Sequence, residues 1–312
     1  MKRCGYSALA VAVLAVAGVS TLTTWATGAD KGATAVKAKP KAAEAVEYSS
    51  VPLPDPEKAI APTRKIDLLA DDYQSKMYTW LQDAKYEDPR GVFTVKDGQL
   101  HISGDGFGAI ITKEDFRDYH LVLEFKWGPR TWQSRKDRTK DSGLLVHSYG
   151  PDGNYGNIWM TSIEAQIIEG GTGDFIVVGG KDTDGKPLRV SLTCETAKDR
   201  DGETIWKDGG ERKTFTRGRI NWYGRDPDWK DVKGFRGKED VESPDGEWTR
   251  MDVVCDGGRV IVYVNGVKVN EGFDAVPAAG KLQLQTELAE LFVRRWELYP
   301  AKNGPKIETA KQ

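Results

Sequence analysis

The stretch SIEAQIIEGGTGDF, residues 162–175, carries an acid and an amide at alternate positions. If its first half is a β-strand, the apolar residues point to one side, and Glu164 and Gln166 point to the other. A carboxyl group can transfer protons, and an amide can bind hydroxyl groups from either end. The spacing therefore predicts a polar site on one face of a sheet.

Two other stretches repeat this alternation. DSGLLVHS places Asp141, Gly143 and His147 on one face, and KLQLQTE places Gln283 and Gln285 together. If the strands share a curved sheet, their polar faces form a concave surface with carboxylates, amides and an imidazole. Such a surface suits a sugar. The alternative is a structural hydrogen-bond network on a solvated face, with His147 an outward residue near a strand end.

Tryptophans add a second carbohydrate signal, because their rings can stack on pyranose rings. The chain has 10 of them. We assign Trp159, close to the acidic strand, to substrate binding. A long insertion, residues 181–247, has few strand signals but contains Trp206, Trp222 and Trp229. We expect this insertion to pack over one face of the domain.

Other chemistry has little support. The 3 histidines lie well apart, which argues against a histidine-rich zinc site. A hard-cation site at Asp174, Asp182 and Asp184 is less well supported than a simple turn, so metal dependence and a divalent metal cofactor stay open. The chain has no G-x-S-x-G, H-E-x-x-H or Walker pattern. Acid–base carboxylates are the catalytic chemistry that the sequence favours.

The organisation of the chain follows from composition. Two early positive charges, an apolar run and small residues predict a signal peptide over residues 1–29. The run is shorter than the ~20 residues of a membrane span, so we expect export to the periplasm or the extracellular space. Residues 30–63, rich in Ala, Lys and Pro, predict a flexible linker, 64–300 one domain, and 301–312 a tail. The net charge of -2 gives no support for nucleic-acid binding.

Within the domain, strand patterns dominate. HLVLEFKW alternates cleanly, CDGGRV predicts a hairpin, and Asn265-Gly266 predicts a second tight turn. No segment has a sustained helical period, so we predict an all-β sandwich with long loop insertions, one of them at residues 128–140. Cys194 and Cys255 could form a disulfide after export or remain buried thiols.

Taken together, DSGLLVHS, SIEAQIIEGGTGDFIVVGG, DGEWTRMDVVCDGGRVIVYVNGVKVNEG and GKLQLQTELAELFVRRWEL resemble the family of 3-keto-disaccharide hydrolase domains. The resemblance covers about residues 67–299 and implies a concanavalin A-like jelly-roll sandwich in an exported protein that cleaves sugars oxidised at C3. The family's N-S-G, E-x-Q and F-R-N-like positions fall on these residues: Asp141-Ser142-Gly143, Glu164 with Gln166, and Val293-Arg294-Arg295. This chain has Asp141 and Thr249 where the family commonly has Asn.

The chemistry of a 3-keto sugar indicates how such a site could work. The ketone acidifies the C2 proton, so a carboxylate can remove it while the C1 oxygen leaves, and water then adds. We expect Glu164 to act as base or acid with Asp141 or His147, and Gln166 and Arg294 to contact the sugar or its enolate. We also assign Gln285 to substrate binding. The alternative is a non-catalytic carbohydrate-binding module, which needs tryptophans and amides but no facing pair of acids.

Overall fold

The computed structural model describes residues 46–307, and the predicted signal peptide, the first part of the predicted linker and residues 308–312 of the predicted tail lie outside them. The elements follow one another along the chain: β1 (Ile66–Asp67), α1 (Tyr73–Lys76), β2 (Met77–Leu81), β3 (Phe93–Lys96), β4 (Gln99–Ile102), β5 (Phe107–Thr112), β6 (Tyr119–Thr131), a 3₁₀ turn (Gln133–Arg135), β7 (Asp141–Tyr149), β8 (Thr161–Ile168), β9 (Phe175–Val178), β10 (Ser191–Lys198), β11 (Thr204–Trp206), β12 (Glu211–Phe215), β13 (Gly218–Ile220), β14 (Thr249–Asp256), β15 (Arg259–Val264), β16 (Val267–Val276), β17 (Lys281–Glu287) and β18 (Ala289–Pro300).

The strands form two antiparallel sheets. The larger, eleven-stranded sheet runs β11-β10-β16-β15-β14-β6-β18-β4-β3, with β1 on β18 and β12 on β10. The smaller, seven-stranded sheet runs β13-β9-β8-β7-β17-β5-β2. The chain crosses repeatedly between them, since β5 and β7 lie in one sheet and β6 lies in the other. The predicted all-β, concanavalin A-like jelly-roll sandwich is confirmed.

The core lies between the two sheets and is built by alternation. Leu121, Leu123 and Phe125 of β6 pack against residues of the smaller sheet such as Ile163 and Ile167 of β8. Because successive side chains point to opposite faces, the same register turns Glu164 and Gln166 away from this core. The inward and outward faces predicted for the segments that form β6 and β8 are confirmed.

The two predicted tight turns form hairpins. Gly257 and Gly258 have φ of 57° and 88° between β14 and β15, and Asn265 and Gly266 have φ of 46° and 81° between β15 and β16. A two-residue turn with positive φ at both positions matches the right-handed twist of the strands. Asn and Gly adopt that conformation readily, which explains the sequence signal.

The end of the predicted linker lies against the domain. We call residues 46–63 the N-terminal strap. The Ser49 N–H donates to Pro187 O at 2.9 Å, the Ile60 N–H donates to Asp115 O at 2.8 Å, and Ala59 is buried. The prediction of a flexible linker is therefore wrong for this part, because its backbone hydrogen bonds attach it to neighbouring loops.

The insertion at 181–247 also differs from its prediction, because it contributes β10–β13 to the two sheets. Trp206 and Trp222 are buried in the core cluster, so neither is free to stack on a sugar. The insertion's charged β12, ERKTF, shows why sequence alone gives so weak a strand signal there.

Two further features complete the fold. Cys194 and Cys255 are buried and unpaired, and burial raises the pKa of both thiols, that of Cys255 to about 12. Among residues 46–307, the helices are all too short or too polar to cross a membrane.

Candidate functional site

The polar residues that alternation predicts share the outer face of the smaller sheet, the face turned away from the core. In one transverse row Glu164 lies opposite Leu145, and Leu145 lies opposite Gln283. In the next row Gln166 lies opposite Gly143, and the register of Leu144 with Leu284 places Gln285 on the far side of Gly143. We call this surface the site face.

Gly143 creates space at the centre of the site face. A Cβ atom there would overlap the Glu164 carboxylate and lie 2.6 Å from Gln285 Oε1. Its φ is not in the left-handed region, so backbone conformation does not require glycine here. The glycine is needed because two polar side chains from the flanking strands meet above it.

A network of carboxylates and one arginine lies beside them. Gln166 Nε2 donates to Asp141 Oδ1 at 2.6 Å. Arg135 Nη2 lies 2.9 Å from both Asp141 Oδ2 and Glu287 Oε1. Asp141, Glu164 and Glu287 thus form what we call the acidic cluster, with Arg135 bridging two of its members.

The acidic cluster has unusual proton affinities. Burial, and secondarily the charge of Asp141, raises the pKa of Glu164 to about 8. Burial and Asp141 also raise the pKa of Glu287 well above its ordinary value. Burial raises the pKa of Asp141 too, although Arg135 and Arg219 oppose it. Carboxyl groups shifted toward neutral pH by desolvation and a like charge are typical of catalytic sites.

A second ion-pair group supports the site from the side of β13. Asp174 is fully buried and receives the Trp222 N–H at 2.8 Å and Arg219 Nη1 at 2.8 Å, and it also contacts Arg225. Arg219 is close enough to Glu164 and Asp141 for its charge to oppose the rise in the pKa of both. The loop GGTGD therefore turns the chain and anchors a cation beside the acidic cluster.

Several polar atoms on the site face have no hydrogen-bond partner among the described residues. They are Gln166 Oε1, Gln285 Oε1, both terminal atoms of Gln283 and Nε of Arg135. Buried polar groups without partners are rare in folded proteins because each costs about 1–3 kcal/mol. On this face a polar ligand would give these atoms hydrogen-bond partners.

An aromatic pair lies near the same face. The rings of Tyr155 and Trp159 are stacked, with centroids 6.4 Å apart and planes at 20°. Trp159 Nε1 donates to Gly108 O on β5 at 3.1 Å, and Tyr155 is 43% exposed. The Glu164 and Glu287 carboxylates raise the pKa of Tyr155 further, after burial, which places its ring within electrostatic reach of the acidic cluster. Trp159, the predicted sugar contact, thus packs against Tyr155 and is attached to β5 by its indole N–H.

The structure does not bring His147 to the acidic cluster. A register shift lies between Val146 and Tyr149, and His147 has φ of 54°, so alternation fails at this point. Its ring packs edge-on against Tyr119, and Nδ1 lies 3.1 Å from Pro277 O. Burial lowers the pKa of His147 to about 4. The expectation that His147 shares a face with Asp141 is wrong because of this bulge.

Arg294 also lies elsewhere. It is on β18 of the larger sheet, where Nε bonds Glu124 Oε2 at 2.6 Å and the guanidinium lies over Trp248. The structure assigns the cations near Glu164 to Arg135 and Arg219 instead. Both belong to segments that the sequence showed only as charged insertions.

The aspartates considered for a hard-cation site do not form one: Asp174 has different partners from Asp182 and Asp184. Asp182 accepts backbone N–H groups from Asp184 and Lys186 in a local turn, while Asp174 pairs with arginines. Residues 46–307 contain no group of three or more His, Cys, Asp or Glu side chains arranged to hold a metal ion.

Sequence reasoning missed four contributors, Glu287, Arg135, Arg219 and Tyr155. Extending the KLQLQTE alternation by two residues from Gln285 would have found Glu287. Arg135 and Tyr155 come from a 3₁₀ turn and a loop, where no periodicity indicates direction.

Comparison with known protein families identifies the family of this chain. The model of the 3-keto-alpha-glucoside-1,2-lyase-like domain matches residues 70–298, and the chain belongs to this family. This confirms the resemblance to 3-keto-disaccharide hydrolase domains. None of the curated proteins is similar to the chain.

Three solved structures illustrate the likeness of this chain to known folds, each at low sequence identity. A candidate glycosyl hydrolase from Parabacteroides distasonis has 17% identity and a TM-score of 0.42, covering 76% of this chain and 98% of that one. The carbohydrate-binding module CBM66 from Bacillus subtilis has 11% identity and a TM-score of 0.38, with 71% and 94% coverage. A β-glucanase from Bacillus licheniformis has 9% identity and a TM-score of 0.33, with 67% and 82% coverage.

Proposed function

We propose that this protein cleaves 3-keto-glucosides by acid–base chemistry on the site face of the smaller sheet. The observation that carries the proposal is the acidic cluster, in which the buried Asp141 and Glu164 and the partly buried Glu287 lie together, with the Glu164 carboxylate above Gly143. Its unpartnered amide and guanidinium atoms provide hydrogen bonds for sugar hydroxyl groups. Membership of a family described by 1,2-lyase chemistry on 3-keto-glucosides supports this substrate class.

The proposed reaction is an elimination followed by addition of water. Ionised Glu164 removes the proton at C2, which the C3 ketone acidifies, and the C1–O bond breaks with its electron pair going to the leaving oxygen. A double bond forms between C1 and C2. Glu287, whose pKa burial and Asp141 raise well above its ordinary value, gives its proton to the leaving oxygen. Water added across the double bond then yields the free 3-keto sugar.

Charge and shape support these roles. The C3 oxygen becomes negative when the C2 proton leaves, and fixed donors lower the barrier most where charge develops. Arg135, with Nε unpartnered, and Arg219 are the nearby cations that would meet this charge. Gln166 and Gln285 would bind hydroxyl groups, and the exposed face of Tyr155 would receive the pyranose ring.

The test is release of free sugar from a panel of 3-keto-glycosides beside their unoxidised parents, each with EDTA or with added divalent metal. We expect turnover of the keto forms alone, since only they have an acidic C2 proton. Cleavage of the parents at the same rate would overturn the proposal. Loss of activity with EDTA would add a metal ion to the site.

The amide-rich site face also suits a carbohydrate-binding module without catalysis. Saturable binding of 3-keto-glycosides with no release of sugar from any member of the panel would establish that function instead.

We further propose that the protein is exported. N-terminal sequencing of the mature chain from cells tests this directly: a start near residue 30 supports export, and an intact Met1 contradicts it.

A further inference from the structure

The connection between β7 and β8 folds back over the outer face of the smaller sheet. A Cβ atom on Gly153 would lie 2.9 Å from Trp80 Nε1, so this glycine packs directly against the indole ring of a β2 residue. Further along, Trp159 Nε1 donates to Gly108 O on β5 at 3.1 Å. We call residues 151–159 the covering loop, because they lie over the face that carries the acidic cluster.

The covering loop closes the site face. Trp80, which it contacts, belongs to that face, because Trp80 lies opposite Ala109 and Ala109 lies opposite Gln285. With the loop in place, Gln283 is 0% exposed, Gln285 is 1% exposed and Glu164 is 4% exposed. A sugar can therefore reach Glu164 only if part of this cover moves.

The backbone of the covering loop is not bonded to the strands beneath it. Its own backbone hydrogen bonds are local, such as the one from the Tyr155 N–H to Trp159 O at 2.8 Å. A further bond, from the Lys181 N–H to Asn154 O, joins it to the next loop. Among the described residues, no backbone–backbone hydrogen bond joins it to β2, β5 or β17. The loop is thus a compact turn that can move as one unit, with Gly150 at φ of 85° where it leaves β7.

Side chains attach the covering loop to the edge of the sheet, and a single carboxylate makes two of these attachments. Asp152 Oδ1 accepts the Tyr78 hydroxyl and Asp152 Oδ2 accepts the Tyr86 hydroxyl, each at 2.8 Å. Lys85 Nζ also donates to Asn157 Oδ1 at 2.8 Å. Because hydrogen bonds to an ionised acceptor are stronger than those between neutral groups, the Asp152 carboxylate acts as a latch on the loop.

Polar atoms beneath the covering loop oppose its closure. Trp80 Nε1, Gln285 Oε1 and both terminal atoms of Gln283 are buried and have no hydrogen-bond partner among the described residues. Opening would expose these atoms to water, whereas closure over a sugar would give them hydroxyl partners. The closed state is therefore stabilised by the latch and destabilised by the atoms that it buries.

We propose that the covering loop is a lid, released through the Asp152 latch, whose opening exposes the site face without unfolding the sandwich. In the open state Glu164 and the amides of the site face are accessible to a sugar. In the closed state Tyr155 and Trp159 return over them. The inference rests on the proposed function for the identity of the ligand, but the opening itself occurs without substrate.

Thiol labelling of an Ala109→Cys variant of the full chain, followed thiol by thiol with peptide mass spectrometry, measures the opening. Ala109 is buried on the site face, whereas Cys194 and Cys255 are buried in the core, so labelling of these two reports unfolding of the sandwich. We expect the new thiol to react at least about tenfold faster than the core thiols. Asp152→Ala in the same background should raise that rate about tenfold, and Tyr86→Phe, which removes one of the two bonds, should raise it less.

Asp184→Ala is the matched control, because it removes an exposed aspartate from a neighbouring turn, and it should leave the labelling rate unchanged. Labelling of Ala109→Cys at the rate of the core thiols would overturn the inference. A rate that a folded Asp152→Ala protein leaves unaltered would also overturn it. These rates need no substrate, so a protein that labels as expected but releases no sugar would retain the lid and lose the proposed activity.

Discussion

Glu164 and Glu287 have the same chemical group but different proposed tasks, and their surroundings explain the difference. Glu164 is buried and Glu287 is partly buried, and Asp141 raises the pKa of each. The Glu164 carboxylate lies above Gly143, and the pKa of about 8 allows ionisation close to neutral pH. Burial and the charge of Asp141 raise the pKa of Glu287 well above its ordinary value, against the opposing charge of Arg135, which suits a proton donor.

Replacement of Glu287 tests its role as the acid. Glu287→Gln cannot donate a proton, so we expect turnover of a 3-keto disaccharide to fall about 10²-fold or more. A 3-keto-glucoside with a p-nitrophenolate leaving group needs no such donor, and its turnover should fall much less. The rates of the two substrates, measured side by side, check this prediction, and equal losses would contradict it.

The raised pKa of Glu164 also predicts a pH-dependent cost to stability. In the unfolded chain the carboxyl ionises near its ordinary pKa, while in the folded chain it holds its proton up to about pH 8. The folded state therefore binds more protons between these values, and the free energy of unfolding falls as pH rises, by up to about 1.4 kcal/mol per pH unit.

Urea unfolding of wild type and Glu164→Gln at pH 5, 6, 7 and 8 measures this effect. The variant lacks the ionisable group, so its stability relative to wild type should increase steadily through that window. Glu211→Gln, on the exposed strand β12, should follow the wild-type curve. Parallel curves for wild type and Glu164→Gln would show that the carboxyl titrates normally in the folded protein.

At the scale of elements, β7 makes room for the acidic cluster at Gly143, which has no side chain. Gly143→Ala introduces a methyl group where the Glu164 carboxylate and the Gln285 amide meet. Displacing a catalytic group by about 1 Å can cost about 10²-fold, so we expect a loss of that order in kcat. Gly179→Ala, at a glycine with ordinary φ and looser contacts, is the matched control. Steady-state kinetics and circular dichroism together show whether activity is lost without unfolding.

The elements also show how far the sequence can predict this site. Strict alternation in β8 and β17 was sufficient to place Glu164, Gln166 and Gln285 on one face. It failed at His147, where one irregular residue in β7 reversed the side-chain direction. Arg135 and Tyr155 reach the site from irregular segments, whose directions depend on packing with distant strands. The exchange of strands between sheets is likewise a long-range property with no local signal.

At the scale of the whole molecule, the N-terminal strap contributes to stability although its composition is that of a linker. A chain beginning at residue 64 loses the hydrogen bonds of Ser49 and Ile60 and the burial of Ala59. At about 0.5–1.5 kcal/mol for each hydrogen bond, we expect it to unfold some degrees below a chain beginning at residue 46. Thermal unfolding of the two chains measures the difference, and equal midpoints would show that the strap adds nothing.

Glu164 is the group that removes the C2 proton in the proposed mechanism, and cleavage of the whole molecule's substrate depends on it. The most direct test is the kcat of Glu164→Gln on a 3-keto-glucoside that the wild type cleaves, with Glu211→Gln as the matched control. The account predicts a fall of about 10²–10⁴-fold for Glu164→Gln and an unchanged rate for the control. Full turnover by a folded Glu164→Gln protein would contradict it.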